Sequence, residues 1–336
     1  MENVALPFQN PRAAELQALA ESLSPLLFFG TSTWTYEGWQ NLVYFRSYAR
    51  HEFAQRCLEE YVQFPLFRTV GIDRFFYAPP ERADLERYAE QLPEGFPCVI
   101  KVWEEITVPR FAKLPKRYGE RAGKPNPNYL NADLCWSAVL QPFARFLPKQ
   151  PKVFVFEFQR AFPGWDADLP EFLDRLDRFL GELPRRYRYA VELRTAAFLH
   201  PDYVACLRRH NVAHCFNHWT HMPPLGEQRR RLGEAFGKVP GGFLLCRLLT
   251  PVGLEYRDAV ARFEPYERLQ LDLPSMRREV LELCAEAAQD KLPAFVLVNN
   301  RSEGCAPLTI EALAHLALAY EAADGATLLA RKRVER

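Results

Sequence analysis

Residues 188–194 read RYAVELR. Tyr189, Ala190, Val191 and Leu193 put apolar side chains on both faces of an extended segment, the pattern of a parallel strand covered on each side. Glu192 and Arg194 fall two residues apart and so on one face of that strand. A charge taken out of water needs a partner, so these two are expected to pair, and to be there for a reason.

Seven further runs have the same character: LLFFGTS (26–32), RTVGID (68–73), PCVIKV (97–102), KVFVFEF (152–158), VAHCFN (212–217), FLLCRLL (243–249) and AFVLVNN (294–300). Amphipathic stretches separate them. The spacing predicts one helix over SYARHEFAQRCLEEYVQF (47–64), stopping before Pro65, and another over ERADLERYAEQL (81–92), stopping before Pro93. LPEFLDRLDRFLGEL (169–183) ends at Pro184 and aligns Phe172, Leu176 and Phe179 on one face. Further helical stretches follow at 201–210, 225–236, 272–290 and 308–324. Eight strand–helix repeats predict an α/β chain closed into a (β/α)₈ TIM barrel. The alternative, an open Rossmann-like sheet, lacks a glycine-rich fingerprint after any strand.

The whole chain, 1–336, reads as one barrel domain with its core over about 26–325. An extra helix is expected near 11–23, before the first strand. An insertion over about 104–150 separates strands three and four; it holds the basic loop KLPKRYGERAGKPNPNYLN (113–131) and a helical segment, DLCWSAVLQPFARFL (133–147). Hydrophobic residues make up 48% and charged residues 25%, which supports a large core and argues against disorder. With 43 basic and 42 acidic side chains the net charge is +1, too balanced for a nucleic-acid binder driven by overall charge.

The eight cysteines, at 57, 98, 135, 206, 215, 246, 284 and 305, form no Cys-x-x-Cys pair, so neither a zinc ribbon nor a redox dithiol is indicated. The opening stretch, MENVALPFQNPRAAELQALAESL, has no apolar signal core, and no run approaches the roughly 20 apolar residues of a membrane span. The chain is read as cytoplasmic and reduced, with no membrane partner.

In such a barrel the functional groups stand at the carboxyl ends of the strands. Strand one ends GTSTWTYEGW, with Thr31, Ser32, Trp34, Tyr36 and Trp39; strand two ends at Asp73, followed by Phe75, Phe76 and Tyr77. Lys101, Glu157, the Glu192–Arg194 pair, Asn217 with His218, Arg247, and Asn299 with Asn300 close the other six. Lys101, Arg194 and Arg247 surround one cup, which suits a small carboxylate or phosphate as partner. The catalytic set expected is Lys101, Glu192 and Arg194, with Glu192 as base or orienter and the cations as clamps. The ligand-binding set is Trp34, Tyr36, Trp39, Asp73, Tyr77, Glu157, His218, Arg247, Asn299 and Asn300; its aromatics serve as a stacking wall or as barrel-top packing.

Several alternatives stay open. Lys101 as a Schiff-base nucleophile would need a depressed pKa. Glu157 and Glu192 would be the carboxylate pair of a glycoside hydrolase. No cofactor is expected; a divalent metal is the weaker alternative, on His214, His218 and His221 with Asp73 or Glu192. A nucleotide or nucleic-acid binding module, on the basic stretch Lys113–Lys124 and the run Arg229–Arg231, is not favoured.

Taken in order, these segments resemble the DUF72, or YecE-like, family of uncharacterised TIM-barrel proteins, from about Phe28 to about Ala314. The family's Gly-Thr-Ser-Gly-Trp-x-Tyr-x-x-Trp is met by Gly30, Thr31, Ser32, Trp34, Tyr36 and Trp39, with Thr33 in place of Gly. Val-Glu-Ile-Asn-x-x-Phe-Tyr is met by Val70, Ile72, Phe76 and Tyr77, with Gly71 for the Glu and Asp73 for the Asn. Lys101, Ile106 and Thr107 match the third motif, with Val108 where the family has His. Of Gln-Leu-Pro-Pro-x-Phe there remains Phe162, with Glu157 for Gln. Val191, Glu192 and Arg194 keep Val-Glu-x-Arg, Arg247 looks like the strand-seven Arg without its His-Gly neighbours, and Asn299, Asn300, Gly304 and Ala306 keep the last motif. The resemblance implies a barrel and no settled activity, in a divergent branch of the family.

Overall fold

In the computed structural model, eight parallel strands close into a barrel in sequence order, β1 to β8, each hydrogen-bonded to the next and β8 to β1. They are β1 (Leu27–Thr31), β2 (Thr69–Ile72), β3 (Cys98–Lys101), β4 (Lys152–Phe158), β5 (Arg188–Leu193), β6 (Ala213–His218), β7 (Leu244–Leu248) and β8 (Ala294–Val298). The structure describes residues 10–49, 51–160, 168–236, 240–320 and 327–331. Phe162 lies outside them. Among the described residues no helix is long and apolar enough to cross a membrane, and all eight cysteines are buried free thiols.

Alternation along the strands sorts the side chains into an inner and an outer layer. Val99, Val153, Val155, Ala190, Ala213, Cys215, Leu245, Phe295 and Leu297 fill the barrel's interior, with Phe243 among them and Phe28 stacked on Phe295 at 4.9 Å. The other face packs against the helices: Phe154 and Phe156 of β4 meet Phe143 and Phe179 edge-on. Two steps on from the apolar plug, the same inward positions carry Lys101, Glu157, Glu192, Asn217 and Arg247. The interior thus changes from apolar to ionic within one residue pair.

The N-terminal helix Ala13–Ser22 buries Leu16, Leu19 and Ala20, and Arg12 pairs with Glu311 at 2.5 Å on the last helix. Helices at Arg82–Gln91, Leu169–Glu182, Pro201–Arg209, Leu225–Phe236, Pro274–Gln289 and Ala306–Ala319 follow the sequence periodicity. The single helix expected over 47–64 is absent. Two one-turn helices, Phe53–Arg56 and Leu58–Tyr61, stand there instead. Glu60 explains the difference: its buried carboxylate accepts the backbone N–H groups of Phe45 and Arg46 and the hydroxyl of Tyr48, and so holds 45–48 as a loop.

The stretch between β3 and β4 divides in two. Residues 104–131 form an excursion with one-turn helices at Glu104–Thr107 and Pro115–Tyr118. Residues 132–146 are continuously helical and place Phe143 between Phe75 and Phe154, so they supply the barrel's own helix between these strands. Pro142 has no N–H to give the helical ladder, and the turn before it, Trp136–Leu140, widens to π geometry.

Trp39 is fully buried, lies 6.0 Å from Tyr44 and 6.4 Å from Phe67 between ring centres, and donates Nε1–H to Asn300 Oδ1 at 3.1 Å. Truncating it opens a core void, so Trp39→Ala is expected to cost about 3–5 kcal/mol. Tyr77→Ala, at a side chain 65% exposed, is expected to stay within about 0.5 kcal/mol. Urea unfolding of both variants measures the contrast.

Candidate functional site

Six charged side chains converge at the carboxyl ends of β2, β3, β4, β5 and β7. Glu157 is central: one carboxylate oxygen, Oε2, receives Lys101 Nζ at 2.7 Å, Arg194 Nη2 at 2.9 Å and Arg247 Nη1 at 3.4 Å, while Oε1 accepts Gln159 Nε2 at 2.5 Å. Glu192 takes Arg194 Nη2 on Oε1 at 2.5 Å and Arg247 Nη1 on Oε2 at 2.6 Å. Asp73 closes the set by accepting from Arg247 Nη2. The three cations expected around one cup are together, and three carboxylates match them.

Burial sets the strength of these contacts. Glu192 is 0% and Arg247 2% exposed, so their attraction is little screened by water. Burial alone would push the Glu157 carboxyl up; the positive charges of Arg194, Lys101 and Arg247 outweigh it and hold Glu157 well below the carboxylate range. Arg247, whose burial disfavours its charge, is held protonated by Asp73, Glu192 and Glu157. Below the lattice, Cys215 is walled in and its thiol pushed up, chiefly by burial, which makes it an apolar plug rather than a nucleophile.

Aromatic rings cover the two outermost cations. Lys101 Nζ stands 3.9 Å from the centre of the Phe76 ring, and the Arg194 guanidinium lies 4.5 Å from that of Trp219. Trp219, the residue just after β6, belongs to the site although the sequence reading passed over it; its place directly after a strand end was the available signal. Asn217 belongs to the same inward row, with Nδ2 donating to the carbonyl of Leu193 and Oδ1 buried without a partner among the described residues. Ser32 Oγ is likewise buried and unpartnered.

Other expected site residues sit elsewhere. Trp34 and Trp39 are core residues, Trp34 edge-on to Tyr88 at 5.3 Å. Tyr36 packs on Trp39 and Tyr266, at 5.1 and 5.4 Å. Tyr77 is exposed, with Arg117 over its ring at 4.7 Å. Asn299 Oδ1 accepts the Arg301 N–H, and Asn300 Oδ1 accepts from Trp39 and from the Ala306 N–H, so both shape the loop after β8. His214 and His218 share a face of β6, but it is the outward one: His214 Nδ1 meets the Tyr203 hydroxyl at 3.0 Å and its ring packs on Phe216. Burial pushes His214 down to about 3 and His218 to about 4, leaving both neutral. Among the described residues no group of three or more His, Cys, Asp or Glu is arranged to hold a metal ion.

Four arginines of the basic stretches are ion-paired within the chain. Arg117 pairs with Glu104 at 2.5 Å, Arg121 with Glu105 at 2.8 Å, Arg229 with Glu286 at 2.8 Å, and Arg231 with Glu227.

The chain belongs to the family described as "Protein of unknown function DUF72", whose model matches residues 28–332. Two solved structures are similar over most of their length. A DUF72 family protein from Thermotoga maritima MSB8 is 16% identical, covering 86% of this chain and 98% of that one, with a TM-score of 0.56. One from Enterococcus faecalis V583 is 14% identical, covering 88% and 98%, with a TM-score of 0.52. At these identities the likeness shows the fold. No curated protein matches the chain.

Removing Glu192 would strand two buried guanidiniums. Glu192→Ala is expected to cost about 3–5 kcal/mol in chemical unfolding, and a loss below about 1 kcal/mol would show the pairs to be dispensable. The outward histidines give a pH dependence of known sign. Their folded pKa values, about 3 for His214 and about 4 for His218, lie below the ordinary value near 6.5. The unfolded chain therefore binds more protons as pH falls below about 6.5, and stability is lost progressively toward pH 3 to 4. His214→Asn is expected to flatten the stability–pH curve between pH 6.5 and 4, as read by urea midpoints.

Proposed function

We propose that the barrel mouth binds, and acts on, a small molecule with a carboxylate or phosphate group, placed against Lys101 and Arg194. One observation carries this reading: Arg194 Nη1 is buried and has no hydrogen-bond partner among the described residues. Guanidinium donors out of water are costly to leave unsatisfied, and Nη2 of the same guanidinium is already committed to Glu157 and Glu192. Trp219 covers the face of the guanidinium and leaves its edge for an acceptor. Lys101, whose side chain is 12% exposed, adds a second positive charge beside it.

The roles follow from the contacts. Glu192 has both oxygens clamped by guanidiniums and orients Arg194 and Arg247 instead of moving protons. Glu157 occupies the Lys101 amine in an ion pair at 2.7 Å, which works against a Schiff base on that nitrogen. Glu157 and Glu192 share Arg194 Nη2, at 2.9 and 2.5 Å, so they are as close as a glycosidase pair demands. Yet the guanidiniums of Arg194 and Arg247 face both carboxylates, where a glycosidase would need its sugar. The arrangement favours electrostatic stabilisation of a developing negative charge by fixed cations.

Inorganic phosphate and acetate, titrated into the protein at low ionic strength and followed by calorimetry, test the reading. Both are expected to bind, and Lys101→Met to weaken them by about tenfold, the effect of a charge-assisted hydrogen bond. Failure of both anions to bind, or unchanged affinity in the variant, would sink it.

A further inference from the structure

The charge balance of the mouth restricts what else the ligand must carry. Among the described residues the lattice holds three cations and three carboxylates, so its net charge is zero before any ligand arrives. A plain anion would therefore add a fourth negative group. It would do so in a mouth that already holds Asp73, the most open member of the set, with a side chain 23% exposed.

Asp73 has one oxygen on Arg247 Nη2, and the other, Oδ1, has no partner among the described residues. The same guanidinium reaches Glu157 through Nη1, and that Glu157 oxygen is also held by Arg194. Asp73 Oδ1 and Arg194 Nη1 are thus the free ends of one chain of contacts, Asp73–Arg247–Glu157–Arg194. A further acceptor lies on the inward face of β6. Asn217, the register partner of Arg247, leaves Oδ1 buried and without a donor. The unmet groups of the mouth thus include the cationic donor Arg194 Nη1 and the acceptors Asp73 Oδ1 and Asn217 Oδ1, beside Ser32 Oγ and Glu192 Oε1, which faces Arg194 in an ion pair without a hydrogen bond.

We propose that the ligand is a small acid bearing a hydrogen-bond donor next to its anionic group, a hydroxyl or an ammonium. The acid group accepts from Arg194 and Lys101 while the donor faces Asp73 Oδ1. This rests on the anion-binding reading above and names the class of molecule for it. The donor turns Asp73 from a repelling charge into a partner, which a plain carboxylate cannot do. α-Hydroxy and α-amino acids fit this description; simple fatty acids do not.

Propionate, lactate and alanine share a three-carbon frame and differ only at the atom beside the carboxylate. Calorimetric or NMR titration of the full chain with each is expected to show lactate or alanine binding at least about tenfold more tightly than propionate. In Asp73→Ala the ratio is expected to fall toward one. Equal affinities for all three in the unchanged protein would overturn the proposal while leaving the anion site intact, and that comparison does not depend on the variant folding. No binding of propionate, lactate, alanine or inorganic phosphate would overturn both readings. A ratio that persists in a folded Asp73→Ala protein would also overturn the proposal, because the discrimination would then come from another group.

Discussion

The guanidinium of Arg247, sealed within the barrel, is the contact on which the mouth depends. It touches carboxylates from three strands, Asp73 after β2, Glu157 on β4 and Glu192 on β5, from its own place on β7. β4 and β5 are neighbours, while β2 and β7 each stand beyond one intervening strand, so one planar group ties four strands of the barrel at the ionic layer. Only a fork of rigidly placed donors can serve several carboxylates at once; a lysine ammonium at this position would lose that geometry. Net stability is a poor explanation for such a cluster, since desolvating six charges offsets most of their attraction. Preorganisation explains it better. Dipoles and charges fixed before a ligand arrives need no reorganisation when charge develops there.

The apolar plug below makes this possible. Val99, Val155, Cys215, Leu245 and Leu297 fill the interior beneath the ionic layer. Burial then acts on each group according to its partners. Glu157, with three cations, is held ionised, whereas His214 and His218, with no charge beside them on the outer face, are kept neutral. The same desolvation therefore produces charged groups inside the barrel and uncharged ones outside it.

Much of this was legible along the chain. Apolar runs closed by polar residues located all eight strands to within a residue or two, and the rule that barrel chemistry stands at strand ends picked out every member of the lattice. Pairing was not legible beyond Glu192 and Arg194, because period-two arithmetic works within a strand and says nothing of distances across the barrel. For this reason Lys101, Arg194 and Arg247 read as a cationic cup until Asp73, Glu157 and Glu192 were found matched to them. Trp34, Trp39 and Asn300 illustrate the other limit. A loop after a strand can turn into the mouth or back over the helices, and Trp39 turned back, where Asn300 and the rings of Tyr44 and Phe67 receive it.

The departures from the family pattern then acquire a physical logic. The pattern has Glu where this chain has Gly71, and Gln where it has Glu157. At position 71 a Cβ would stand 2.8 Å from the Cα of Ser32 and 2.8 Å from the Thr31 carbonyl oxygen, so the end of β1 occupies the space that a longer side chain would need. Glycine lets β1 and β2 approach there, at the cost of a carboxylate on β2. Three cations around the cup with one carboxylate fewer would leave an uncompensated buried charge, which is strongly destabilising. Two carboxylates stand against that loss: Glu157 on β4, where Lys101, Arg194 and Arg247 all reach it, and Asp73 after β2, in place of the pattern's Asn and paired with Arg247. Against that pattern the chain gains two carboxylates for the one it loses at position 71, and the three it then holds, Asp73, Glu157 and Glu192, equal the three cations of the sealed layer.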